Sequence, residues 1–183
     1  MRNEASSETK HEFHQGRVFA KTGASLAHNQ ITANLMRHLG NQLADSPCQP
    51  LGPDMRLKID ASGLYTYPDV MVVCDPVLHA GSGTGTILNP TLIIEVLSKA
   101  TEAYDRGDKF GHYRKLESLQ EYVLVSQTTR RVEFFSRQGS FWIFRDCQAD
   151  QDPIQFESIG VSLGMDDIYA RVTLTTRSPF PSL

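Results

Sequence analysis

The stretch NPTLIIEVLSKAT (residues 89–101) sets one carboxylate, Glu95, among Leu92, Ile93, Ile94, Val96 and Leu97. Taking an unpaired carboxylate out of water is expensive, so such a group is paired, metal-bound or neutral. A second acid, Asp69, stands in YPDVMVVCD (67–75), which reads as another strand. One loop joins the two strands, so antiparallel pairing is the simplest topology. Asp69 lies near the start of its strand and Glu95 toward the end of its own, which puts both at one end of the sheet. Alternation groups Asp69 with Met71 and Val73, and Glu95 with Ile93 and Leu97. Two carboxylates on one face repel unless a divalent cation lies between them, and hard oxygen ligands select Mg²⁺ or Mn²⁺ over zinc. Lys109 follows fourteen residues after Glu95, one turn into the next predicted helix. Its ammonium is placed to neutralise developing negative charge or to orient a water. Asp, Glu, metal and Lys together suit phosphodiester hydrolysis, in which the metal polarises phosphate and lowers the pKa of its bound water.

Each of these residues has a simpler structural role open to it. Asp69 can cap a turn after Pro68. Glu95 can form a lone ion pair with Lys58 or Arg56 of the neighbouring strand. Asp105 and Lys109 have the i,i+4 spacing of a surface ion pair.

The elements that must position these groups follow from periodicity and punctuation. A short helix is expected over residues 7–13 and a short strand over 16–23. Ser25 caps a helix over 26–44, in which Ile31, Leu35, Leu39 and Leu43 recur every four residues. Prolines in SPCQPLGPD end it. Strands are expected over 55–59, 67–75 and 90–98, the last almost continuously apolar and therefore central. HAGSGTG (79–85) reads as a long flexible loop. A helix over 103–118 is capped by Asp105 and buries Phe110, Tyr113 and Leu116. A fourth strand (121–126) precedes a hairpin turning at Gln138-Gly139-Ser140 and a terminal helical turn at MDDIYARV. This order describes an α/β protein with one mixed sheet covered by helices, in a single domain spanning 1–183 whose polar residues 1–8 fray.

Bulk properties narrow the class. The chain has 183 residues and a net charge of −3, so any nucleic-acid surface is local. Lys99, Arg106, Lys109, Arg114 and Lys115 cluster around the third helix, with Arg130 and Arg131 just beyond, as a phosphate-contacting stripe or a solvated face. GSGTG is not a phosphate loop, because a strand rather than a helix follows it. The aromatic residues Phe134, Phe135, Phe141, Trp142 and Phe144 are expected to pack the hairpin rather than stack bases. Three scattered cysteines without CxxC spacing argue for reduced thiols rather than a disulfide framework. With no apolar run of membrane-spanning length and no signal-peptide core, the expected location is cytoplasmic.

YTYPDVMVVCDP, the long block NPTLIIEVLSKATEAYDRGDKFGHYRKLESLQEYVLVSQ and HEFHQGRVFAKTGASLAHN together resemble the Uma-two family of bacterial proteins over residues 11–172. That family is similar to the restriction-endonuclease-like PD-(D/E)XK nucleases. The resemblance implies an αβββαβ core, here with an added C-terminal β-hairpin, and a metal-dependent endonuclease acting on DNA. It matches Asp69 to the PD aspartate and Glu95 to the acid of the third strand. Where the standard motif has a lysine two residues after that acid, this chain has Leu97, and the family's helix-borne lysine matches Lys109. It also implies Glu12 as a third acid, the backbone carbonyl of Val96 as a metal ligand, and His28 facing the site. Lys99 and Arg106 would contact substrate. DNA is the expected partner, with RNA open as an alternative, in a homodimer that needs no membrane. The alternative role is a catalytically inactive nuclease-fold domain that binds nucleic acid or a protein partner.

Overall fold

The computed structural model of the chain describes residues 11–14, 17–20, 24–81, 85–148 and 153–174, with side chains from residue 24 onward. Its centre is a six-stranded mixed sheet in the order β11-β10-β9-β8-β6-β3. These strands are β3 (Cys48–Leu51), β6 (Val70–Cys74), β8 (Leu92–Leu97), β9 (Glu121–Ser126), β10 (Arg131–Gln138) and β11 (Phe141–Gln148). Every residue of β8 is buried, as its unbroken apolar run requires of a central strand. β8 pairs antiparallel with β6 and parallel with β9. The parallel step needs a crossover, which is a continuous helical segment: α2 (Glu102–Tyr104), a π-helical turn (Asp105–Lys109) and α3 (Phe110–Tyr113).

Two apolar layers flank this sheet. On one face α1 (Leu26–Gln42) lays Ile31, Leu35 and Leu39 against Val70, Val72, Ile94, Val96, Val123 and Val125. Each side chain so buried contributes roughly 1.5–3 kcal/mol relative to exposure. Ser25 caps α1 as its sequence predicts, its Oγ accepting the His28 N–H at 3.1 Å. On the other face Met71, Val73, Ile93 and Leu97 meet Tyr113, Leu116 and Leu119 of the crossover. They also meet Leu57, Ile59, Leu64 and Ile87 of a second sheet. That sheet has the order β2-β1-β5-β4-β7 and comprises β1 (His11–His14), β2 (Arg17–Ala20), β4 (Arg56–Ile59), β5 (Leu64–Thr66) and β7 (Thr86–Ile87). A small ribbon, β12 (Ile154–Phe156) with β13 (Val161–Leu163), and the terminal turn α4 (Met165–Ile168) complete the first layer.

Several local expectations change. Residues 11–13, expected at the end of a helix, belong to β1, because their backbone pairs with β2 and β5; residues 7–10 lie outside the described residues. The crossover helix starts earlier than its aspartate suggested. The Ser98 carbonyl accepts the Glu102 N–H at 2.9 Å and the Ser98 Oγ accepts the Thr101 N–H at 3.1 Å, so Asp105 sits inside the helix and not at its cap. The proline-bearing CQPL segment is a strand after all, at the sheet edge where proline is tolerated.

That unrecognised strand overturns the expectation of reduced thiols. Pairing of β3 with β6 sets Cys48 opposite Cys74, and the two are joined as a disulfide. Cys147 is free and buried, and burial pushes its thiol pKa up. Chain unfolded without reductant is therefore expected to titrate one thiol, rising to three after reduction. Three thiols before reduction would contradict the bond.

Candidate active site

The acid pair is positioned by strand register. β6 and β8 pair Val70 with Ile94 and Met71 with Ile93, so one further step sets Asp69 opposite Glu95. Both carboxylates are buried, and alternation along the strands assigns them to the face of Met71, Val73, Ile93 and Leu97. The antiparallel pairing agrees with the sequence reading.

Asp69 closes the end of the ladder. β6 begins only at Val70, and beyond Ile94 the edge of β8 meets the Asp69 side chain instead of paired backbone. Asp69 Oδ2 accepts the Val96 N–H at 2.9 Å. In an extended strand a residue's carbonyl projects to the same edge as its N–H, so the Val96 carbonyl is directed to this edge as well. His28 Nε2 lies 3.0 Å from Asp69 Oδ2. Although α1 packs on the opposite face, its first turn reaches the end of β6.

Glu95 has a cation, supplied by the crossover helix rather than by a neighbouring strand. Lys109 Nζ lies 2.9 Å from Glu95 Oε1 and 3.2 Å from Asp105 Oδ1. Tyr113 donates its hydroxyl hydrogen to Glu95 Oε1 at 2.7 Å. Asp105, Lys109 and Tyr113 recur every four residues and present one face to Glu95; the π-helical turn contains the first two. Such turns are frequent at functional sites. The Tyr104 and Tyr113 rings flank the ammonium, each centroid 5.9 Å away. Tyr122 donates to the Asp105 carbonyl at 2.9 Å. Burial first, and then the Glu95 carboxylate, push the Tyr122 phenol pKa well above its ordinary value, so it remains a donor.

The other sequence-derived candidates fall around this centre. Lys58 pairs with Asp60, and Arg56 donates to Thr86 Oγ1, so neither serves Glu95. The Asp105–Lys109 pair exists, but buried and not on the surface. Lys99 is exposed just beyond β8. Arg106 is engaged by Glu102 at 3.0 Å and Glu133 at 2.6 Å. Arg131 is likewise engaged by Asp146 and Glu133, and Arg130 by Asp166. Glu12 lies in β1, whose pairing of Phe13 with Tyr65 sets Glu12 one register step away, opposite Thr66. Asp105 and Tyr113 were missed as members of the site. Their four-residue spacing around Lys109 was the available signal.

The donor chemistry fits a hard cation. Among the described residues no group of three or more His, Cys, Asp or Glu side chains forms a metal cage. Zinc sites generally use three or four protein ligands, whereas Mg²⁺ is commonly held by one or two carboxylates with waters completing its shell. Asp69 and Glu95 match the second pattern.

A mixed sheet with a parallel crossover, ending in a buried Asp–Glu pair with a lysine on the Glu, defines an α/β protein of the restriction-endonuclease-like class. The chain belongs to the Uma2 family, described as "Putative restriction endonuclease", whose profile matches residues 2–166. It is similar to two uncharacterized proteins of Synechocystis sp. (strain ATCC 27184 / PCC 6803 / Kazusa). It is 36% identical to sll1609 over 157 residues, covering 85% of this chain and 89% of the relative. It is 37% identical to slr1290 over 161 residues, covering 87% and 83%. The fold is also similar to a crystal structure from Anabaena variabilis ATCC 29413 described as "a putative nuclease belonging to DUF820". That match has a TM-score of 0.72 and 16% identity, and covers 89% of this chain and 91% of the other.

The site's energetics can be tested apart from activity. Tyr113→Phe removes one hydrogen bond to a buried carboxylate and is expected to cost about 1.5–3 kcal/mol of stability in urea unfolding. Lys109→Met leaves two buried carboxylates without their shared cation and is expected to cost more, about 3–5 kcal/mol. The reverse order would show that Lys109 is not the principal partner of these acids.

Proposed function

We propose that this chain is a divalent-metal-dependent endonuclease that hydrolyses DNA phosphodiester bonds. The observation that carries the reading is the buried Asp69–Glu95 juxtaposition at the end of β6 and β8, with Lys109 Nζ 2.9 Å from Glu95. Asp69, Glu95 and the Val96 carbonyl would hold Mg²⁺ or Mn²⁺, and Glu12 is proposed as a further acid because its strand position neighbours Thr66, three residues before Asp69. When bound, the metal supplies charge neutralisation and a water of lowered pKa. Asp69 orients through the Val96 N–H and the His28 imidazole. Glu95 is fixed by Tyr113 and Lys109. Lys109, with three donor hydrogens, can turn one toward the attacking water or the phosphate oxygen while keeping its bond to Glu95. Lys99, Arg106 and His28 are proposed on the substrate path, where they act on phosphate charge rather than on base identity. DNA is the proposed substrate with RNA the alternative, and we place the protein in the cytoplasm as a homodimer.

The reading is tested by plasmid nicking with and without Mn²⁺, beside calorimetric titration of Mn²⁺ into the same proteins. Asp69→Asn and Glu95→Gln are each expected to abolish metal-dependent nicking. The expected loss exceeds the roughly 10–100-fold typical of losing a residue that merely supports a metal ligand. Both variants are also expected to weaken Mn²⁺ binding. Full activity in either variant removes the acid-pair assignment. DNA retention in a gel shift without cleavage products, with either ion, favours the non-cutting binding domain.

A further inference from the structure

Five large apolar side chains are exposed among the described residues, and three of them share one strand: Phe141 (74%), Ile143 (47%) and Phe144 (51%) in β11. β11 is an edge of the six-stranded sheet, and at eight residues it is as long as any strand there. Edge strands offer a row of backbone donors and acceptors, which proteins normally protect with proline, lysine, bulges or inward charges. β11 contains neither proline nor lysine. Its register with β10 runs unbroken over all eight residues, so no bulge turns it away. Its two charged residues are engaged within the chain. Arg131 Nε lies 2.8 Å from Asp146, while Arg145 donates to the Gln155 carbonyl at 2.7 Å and lies 4.4 Å from the Phe134 ring centroid.

We propose that β11 pairs antiparallel with β11 of a second copy, about a two-fold axis normal to the sheet, joining the two sheets edge to edge. An axis in that direction preserves the faces of the sheet, so the centre of pairing falls on a residue rather than between two. Charge and side-chain type then select among centres. Centring on Arg145 sets two guanidinium groups opposite each other, which is repulsive. Centring on Phe144 sets Trp142 against the partner's Asp146 and Ile143 against the partner's Arg145. Centring on Ile143 sets Ile143 against the partner's Ile143 and Trp142 against the partner's Phe144. It also sets Arg145 opposite the partner's Phe141, so that no charge faces a like charge. This register covers all three exposed apolar side chains and opposes no like charges. A second copy is the occupant because the strand complements itself in this register, and an isologous two-fold contact closes without further growth.

The interface shares with the proposed function the expectation of a dimer, but none of its chemistry. β9 and β10 separate β11 from β8, so each copy keeps its own acid pair. Oligomeric state and cleavage therefore succeed or fail independently. Light scattering on the full chain at micromolar concentration is expected to give twice the chain mass. Ile143→Lys opposes two ammonium groups on the axis and is expected to give a folded monomer, with the far-ultraviolet circular dichroism of the parent and a thermal midpoint that no longer rises with protein concentration. Ile143→Cys is expected to form a disulfide-linked dimer on oxidation, whereas Phe141→Cys, which faces the partner's Arg145, is not. A monomeric parent chain, or a dimer that survives Ile143→Lys, overturns the interface. Cross-linking through Phe144→Cys in place of Ile143→Cys overturns the register.

Discussion

The structure turns on one electrostatic constraint: Glu95 is ionisable, and it lies in a strand buried along its whole length. Buried as it is, Glu95 needs a compensating cation close by, and that cation comes from an element packed on the sheet. The parallel connection from β8 to β9 requires such an element at that place. The crossover that completes the topology is thereby also the carrier of Lys109. Fold and charge balance are met by the same segment.

The way that segment carries the lysine matters. Its π-helical turn spans Asp105 to Lys109, and its next turn brings Tyr113 to the same carboxylate oxygen. Lys109 is held between two acids and flanked by two aromatic rings, with little freedom to leave. Asp69 is fixed differently, by a backbone N–H of the opposing strand and an imidazole from α1. Three separate elements, β6, β8 and the crossover, thus bring rigid groups to one end of the sheet, with α1 in support. A preorganised arrangement of this kind is what the proposed phosphodiester hydrolysis would demand.

The two edges of the six-stranded sheet are treated unlike each other. β3 is short, contains Pro50, and is covalently joined to β6 through Cys48 and Cys74. β11 is long and regular, and displays apolar side chains. A sheet that protects one edge and leaves the other able to pair has a directional surface, set apart from the site by two strands.

Local chemistry in the sequence determined a good part of this protein. The continuous apolar run around Glu95 dictates a central strand, the four-residue recurrence of Ile31, Leu35 and Leu39 dictates α1, and a single loop between the acid-bearing strands makes antiparallel pairing their simplest topology. Period-two alternation then puts Asp69 and Glu95 on one face. These signals were legible because each arises from neighbours in the chain. The tertiary structure decided which of several cations reaches Glu95, moved Asp105 from a helix cap into the interior, and paired Cys48 with Cys74. It also made strands of segments only two to four residues long, such as β3, β5 and β7. Segments so short carry too few residues for a period to show. Their conformation is stabilised by hydrogen bonds to strands distant in sequence, and only the assembled sheets supply those partners.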